Sequence, residues 1–132
     1  QPSIGGGRDA FVTRIGADGG PPVYSTYLGG AALDAGYAVA AGAGSGAFVS
    51  GGTASTGFPT WNPFQASYGG GFQDAFVVEI PPDGVVLQYG TFLGGSGWDT
   101  ARCVAVDPSG SVYVAGETDS GDFPLQGCHL AG

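Results

Sequence analysis

The side chains able to do chemistry are few, and most are acidic, aromatic or sulfur-bearing. Glu117, Asp119 and Asp122 lie close together in the chain, and hard oxygen ligands at that density are the kind that hold calcium. They lack the Asp-x-Asp-x-Asp-Gly order of a calcium loop, so a solvated acidic loop is the plainer reading and no metal is assigned. Trp61, Phe64, Tyr68 and Trp98 stand on connecting segments, as do Asp34 and Asp99. Aromatic rings beside carboxylates on a loop face can stack a sugar or hold a peptide. The competing reading has the aromatics covering a sheet edge and the two aspartates capping turns. Cys103 and Cys128 are the only cysteines. A disulfide within one chain would fit an oxidising compartment, and bridges between chains are equally compatible. His129 is the only histidine; with two cysteines it makes too few ligands for zinc. No Gly-x-Ser-x-Gly elbow is present, and Gly69-Gly70-Gly71 opens no helix that could cradle a phosphate. The expectation is a non-enzyme without a cofactor.

Charge narrows the partners. Arg8, Arg14 and Arg102 are the only Lys/Arg side chains among 132 residues, and the formal net charge is -8. Nucleic-acid binding would need clustered cations to release counterions, and a polybasic membrane patch is ruled out on the same ground. Apolar residues make up 42% of the chain, too many for a disordered polyelectrolyte. Glycine breaks every apolar run before it could span a bilayer as a helix.

The elements that must position these residues follow from a repeat. Shifting the chain by 65 residues lays Asp9-Ala10-Phe11-Val12 on Asp74-Ala75-Phe76-Val77, Leu28-Gly29-Gly30 on Leu93-Gly94-Gly95, Asp34 on Asp99 and Phe58-Pro59 on Phe123-Pro124. The expected organisation is a first unit over 1–73, including a long connector, and a second over 74–132. Each unit reads as four short strands, near Asp9 to Ile15, Val23 to Leu28, Tyr37 to Gly42 and Ala47 to Thr53, then Asp74 to Ile80, Val86 to Leu93, Arg102 to Asp107 and Ser111 to Thr118. Turn chemistry such as Asp107-Pro108-Ser109-Gly110 separates them. The first unit lacks that turn at Ala41-Gly42-Ala43-Gly44, so its hairpin is expected to be less firmly held. Bulk on both faces of the strands implies sheets covered on both sides, and no window carries a helical period. Four strands per unit, repeated, point to an all-β, β-propeller-type fold.

The runs Asp-Ala-Phe-Val, Tyr24 to Gly30, Val104 to Gly116 and Asp122-Phe123-Pro124 resemble the bacterial SBBP-type β-propeller repeat. That resemblance covers nearly the whole chain. It implies a secreted or surface-exposed propeller without shared catalytic residues. By analogy with related propellers, the small-residue strand at Tyr37 to Gly42 is the inner one. One full blade then lies mid-chain, between two complementary half-blades. Lone two-stranded hairpins are marginal, and open edges invite pairing. Two readings stay open. In one, copies assemble head to tail by completing one another's blades, as a ring or filament of an extracellular structural or adhesive protein; Phe11, Val12, Ile15, Tyr24 and Leu28 would then meet Val104, Val106, Val112 and Val114. In the other, the rest of a longer propeller completes them, in a glycan- or peptide-binding module of a larger surface protein.

Overall fold

The computed structural model describes residues 1–42, 44 and 46–127. They form eight strands: β1 (Ala10–Ile15), β2 (Pro22–Leu28), β3 (Asp34–Ala41), β4 (Ala47–Thr53), β5 (Asp74–Ile80), β6 (Tyr89–Leu93), β7 (Asp99–Val106) and β8 (Val112–Thr118). All pairings between them are antiparallel. The strands divide into a two-stranded sheet β1-β2, a four-stranded sheet β3-β4-β5-β6 and a two-stranded sheet β7-β8. The fold is all-β and of the β-propeller type. The middle sheet straddles the junction at residues 73 and 74, so the sheet is out of phase with the sequence repeat.

Alternation of side chains decides how the sheets stack. Phe76, Val78 and Ile80 on one face of β5 form the core with Ala10, Val12 and Leu28 of the first sheet and with Val49, Phe58 and Phe92. The ring of Phe58 lies 4.4 Å from that of Phe76. The sheets are also joined through backbone at one end. The Asp34 amide donates to the Arg8 carbonyl at 2.7 Å, and the Asp99 amide to the Gln73 carbonyl at 2.8 Å. Each link ties the chain just ahead of β1 or β5 to the start of β3 or β7.

Three strand starts differ from expectation by three residues. β3 and β7 begin three positions earlier, at Asp34 and Asp99. Asp34, Ala35, Gly36 and Asp99 have little strand propensity, but pairing with the far ends of β4 and β8 extends the ladder. Both inner strands carry a bulge, at Gly36/Ala38 and at Ala101/Cys103. The opposing residues are Gly51 and Gly116, where a Cβ would lie 1.9 Å from the carbonyl oxygen of Ala35 or Thr100; only glycine admits that approach. β6 starts at Tyr89 rather than Val86, and Val85 and Val86 stay exposed. In the β3–β4 hairpin the Gly42 amide donates to the Gly46 carbonyl at 2.8 Å, as Asp107 does to Ser111 at 3.0 Å in the β7–β8 hairpin. Of the expected looser turn at 41–44, residue 43 lies outside the described residues, as does residue 45.

Candidate assembly surface

The first sheet buries one face and leaves the other open, and the last sheet covers its inner face only in part. On β1, Ala10 and Val12 turn inward and Phe11, Thr13 and Ile15 turn outward, giving the burial alternation of a half-covered strand. Phe11 is 74% exposed although it stands opposite Tyr27. This corrects the expected interface. Val12 and Leu28 are buried in the chain's own core, and Tyr24 packs against it. Only Phe11 and Ile15 of the five N-terminal candidates face away. The alternation of β1 matches that of β5, whose two faces are both covered, and so could not by itself tell the covered face from the open one.

At the other end, Val104, Val106, Val112 and Val114 are all half-buried. Val112 and Val114 line an apolar groove of about 670 Å³ with Phe48, Val77, Tyr89 and Leu93 of the middle sheet. Among the described residues no strand pairs with the free edge of β8 or of β1.

The outer edges of the sheets, by contrast, are occupied. The connector between β4 and β5 runs beside β6: Trp61 and Gly90 exchange two backbone bonds, and the Phe92 amide donates to the Gln65 carbonyl at 3.2 Å. The Gln65 side-chain oxygen accepts from the Gly94 amide at 3.0 Å. Gln1 does the same for β2, accepting from the Tyr27 amide at 3.2 Å through its carbonyl and from the Gly29 amide at 3.2 Å through its side chain. These two glutamines were missed in the sequence. Gln-x-Ser-x-Gly-Gly-Gly occurs at 1–7 and 65–71, an offset of 64 that a gapless shift of 65 passes over.

Four aspartates clamp the glycine loops at one end of the sheets. Asp9 accepts from the Gly5 and Gly6 amides, Asp34 from Gly30, Asp74 from Gly69 and Asp99 from Gly95. Ser55 and Ser120 donate to Asp34 and Asp99 at 2.8 and 2.7 Å. Asp34 and Asp99 therefore act as turn caps. Burial pushes the Asp74 carboxyl up to about 6, with the nearby Asp99 charge adding to the rise and the Gly69 amide opposing it.

The expected aromatic ligand face is dispersed. Trp61 is exposed over a cleft of about 330 Å³ shared with Tyr27, Val85 and Val86. Phe64 lines the groove beside β8. Tyr68 stands edge-on to Phe92 at 6.0 Å and donates to the Gly71 carbonyl at 3.2 Å. Trp98 lies under the Arg102 guanidinium, which sits 5.8 Å from its ring and 5.1 Å from that of Tyr37. The three carboxylates considered for calcium are likewise engaged separately. Glu117 pairs with Arg102 at 3.4 Å, Asp119 accepts from the Trp98 amide, and Asp122 accepts from the Ser96 amide and hydroxyl. Those two bonds hold Asp122 below the usual carboxylate range. Among the described residues no group of three metal-ligating side chains converges. Cys103 is exposed on β7, and Cys128 and His129, with any disulfide they imply, lie outside the described residues.

Residues 88–124 match the family model described as a beta-propeller repeat, SBBP. The matched segment is an SBBP beta-propeller repeat. It takes in β6, β7 and β8 together with the Phe123-Pro124 turn, so the SBBP repeat crosses from the outer strand of one sheet to the inner strands of the next. No curated protein matches the chain. Among the described residues no helix is long and apolar enough to cross a membrane.

Proposed function

We propose that this SBBP protein is a non-enzymatic extracellular subunit, structural or adhesive, whose copies assemble head to tail by completing one another's blades. The observation that carries this reading is the division of the strands into two, four and two. The chain carries the outer pair of one blade and the inner pair of another, each with a free edge and an open apolar face. Such edges are normally blocked by charge, proline or a covering segment. Here cover is supplied to β2 and β6, and among the described residues β1 and β8 are left open. A head-to-tail contact of this kind closes into a ring or continues as a filament. Size-exclusion chromatography with light scattering tests it. A multiple of 13.0 kDa that dissociates on dilution is expected. A folded 13.0 kDa species persisting at micromolar concentration overturns it and leaves the chain as part of a longer propeller.

The exposed Trp61 favours a second reading, a carbohydrate- or peptide-binding module of a larger surface protein. Glycan-array binding that is lost in Trp61→Ala supports it.

A further inference from the structure

We infer that Phe11 of one copy seats in a preformed cleft of a second copy, between Phe123 and the bulged glycine Gly116, and so fixes the register of the joint. This deepens the head-to-tail reading and rests on it. Phe76 is fully buried. It shares a core cluster with Ala10, Leu28, Val49 and Phe58, and its ring lies over Gly51, whose added Cβ would come 2.9 Å from the ring edge. Moved on by one repeat, those five neighbours become Ala75, Leu93, Val114, Phe123 and Gly116. All five line one cleft of about 290 Å³. An apolar cavity of ~150 Å³ already takes up benzene, so the cleft has room for an aromatic ring. The residue that occupies the corresponding place in the middle sheet is Phe76, and its repeat equivalent is Phe11. Within one chain Phe11 cannot reach the cleft, because the first sheet packs on the opposite face of β5. A second copy presents Phe11 exposed on β1, beside a free strand edge, and is the occupant that fits.

Register follows from the β4–β5 ladder, in which Gly51 opposes Phe76 and Val49 opposes Val78. Carried over, Gly116 opposes Phe11 of the second copy, Tyr113 opposes Arg14 and Val114 opposes Thr13. Charge agrees with this register. Gly52, where an added Cβ would meet the Gln73 side chain, has Glu117 as its equivalent, and Gln73 has Arg8. An acid and a base thus replace an uncharged contact at the joint between copies.

The test uses the full chain with both cysteines replaced by serine. Paired cysteines at Thr13 and Val114, and separately at Arg14 and Tyr113, are oxidised and run on non-reducing gels. One of two adjacent opposed pairs is the closer, non-hydrogen-bonded kind, so at least one is expected to give a ladder of linked chains. A control pair at Thr13 and Val112 is expected to give little. In parallel, Phe11→Ala is expected to raise the dissociation constant about a hundredfold or more, as for loss of a buried Phe, with an unchanged circular dichroism spectrum because Phe11 is exposed in the single chain. A multimer that links best through the control pair, or that is indifferent to Phe11→Ala, overturns this seating and leaves head-to-tail assembly standing. A monomer of the parent chain overturns both.

Discussion

The run Asp-Ala-Phe-Val leads into both β5 and β1, yet every residue of β5 except Glu79 is buried and four of the six residues of β1 are exposed or half-exposed. β4 and β8 differ in the same way: six of seven residues of β4 are buried, and none of β8 is. Local propensity is shared between the members of each pair, so it cannot account for the contrast. What differs is the neighbour. β5 has β4 on one edge, β6 on the other and the first sheet across one face. β1 has one edge partner and one covered face. Burial here is a property of the joint between sheets rather than of the strand, and the end sheets are strands awaiting the contacts that the middle sheet already has.

The sharpest way to break this comparison is to delete the same side chain in both places. Phe76→Ala removes a fully buried ring stacked on Phe58 and is expected to cost about 4 kcal/mol in unfolding free energy. Phe11→Ala, measured at a dilution where chains do not associate, is expected to cost less than ~0.5 kcal/mol, as surface changes do. Urea titrations of both variants check the ratio. Equal losses would mean that β1 is packed on both faces in the single chain.

A second contrast lies between carboxylates. Asp74 is buried with one oxygen lacking any partner, and its carboxyl is raised to about 6. Asp107, in the β7–β8 turn, is lowered to about 2 by the Ser109 hydroxyl and the Ser109 and Ser111 amides. The signs oppose. Folded Asp74 binds a proton that the unfolded chain releases near pH 4, so its contribution is complete below that value. Stability therefore falls as pH rises from about 4 through 6, by up to about 3 kcal/mol. Asp107 and Asp122 contribute above pH 4 and lose that contribution as the medium is acidified. Melting curves from pH 4 to 7 are expected to show the downward slope, and Asp74→Asn to flatten it. A parent chain whose stability rises across that window would contradict the raised carboxyl.

How much of this was legible beforehand depends on which residues signal. The repeat displayed the eight strands and the position of the complete sheet, because Asp-Ala-Phe-Val and Leu-Gly-Gly mark the same points in each unit. The early starts of β3 and β7 were hidden, since Asp34-Ala35-Gly36 and Asp99-Thr100-Ala101 announce no strand until β4 and β8 pair with them. The inward turn of Val12 and Leu28 was equally hidden, because period-two alternation names two faces without saying which is covered. The grouping of Trp61 with Trp98 failed for a different reason. It placed the connector at the loop end of the sheets, whereas Trp61 forms a bridge with Gly90 along the side of β6. Backbone pairing of an irregular segment leaves no periodic trace.

The smallest expected effect concerns the position held by Gly52 in the middle sheet and Glu117 in the last. Gly52 is buried beneath Gln73, whereas Glu117 reaches Arg102 with side chains 59% and 46% exposed. A single exposed ion pair contributes roughly 0–1 kcal/mol, and Arg102 keeps the rings of Tyr37 and Trp98 when the acid is gone. Glu117→Gln is therefore expected to change the unfolding free energy of the dilute chain by less than ~0.5 kcal/mol. If the same substitution weakens association in low salt and loses that effect in high salt, Glu117 has a cation across the joint that the single chain does not supply. That result would separate the end sheet from the middle one at a residue where their folded stabilities barely differ.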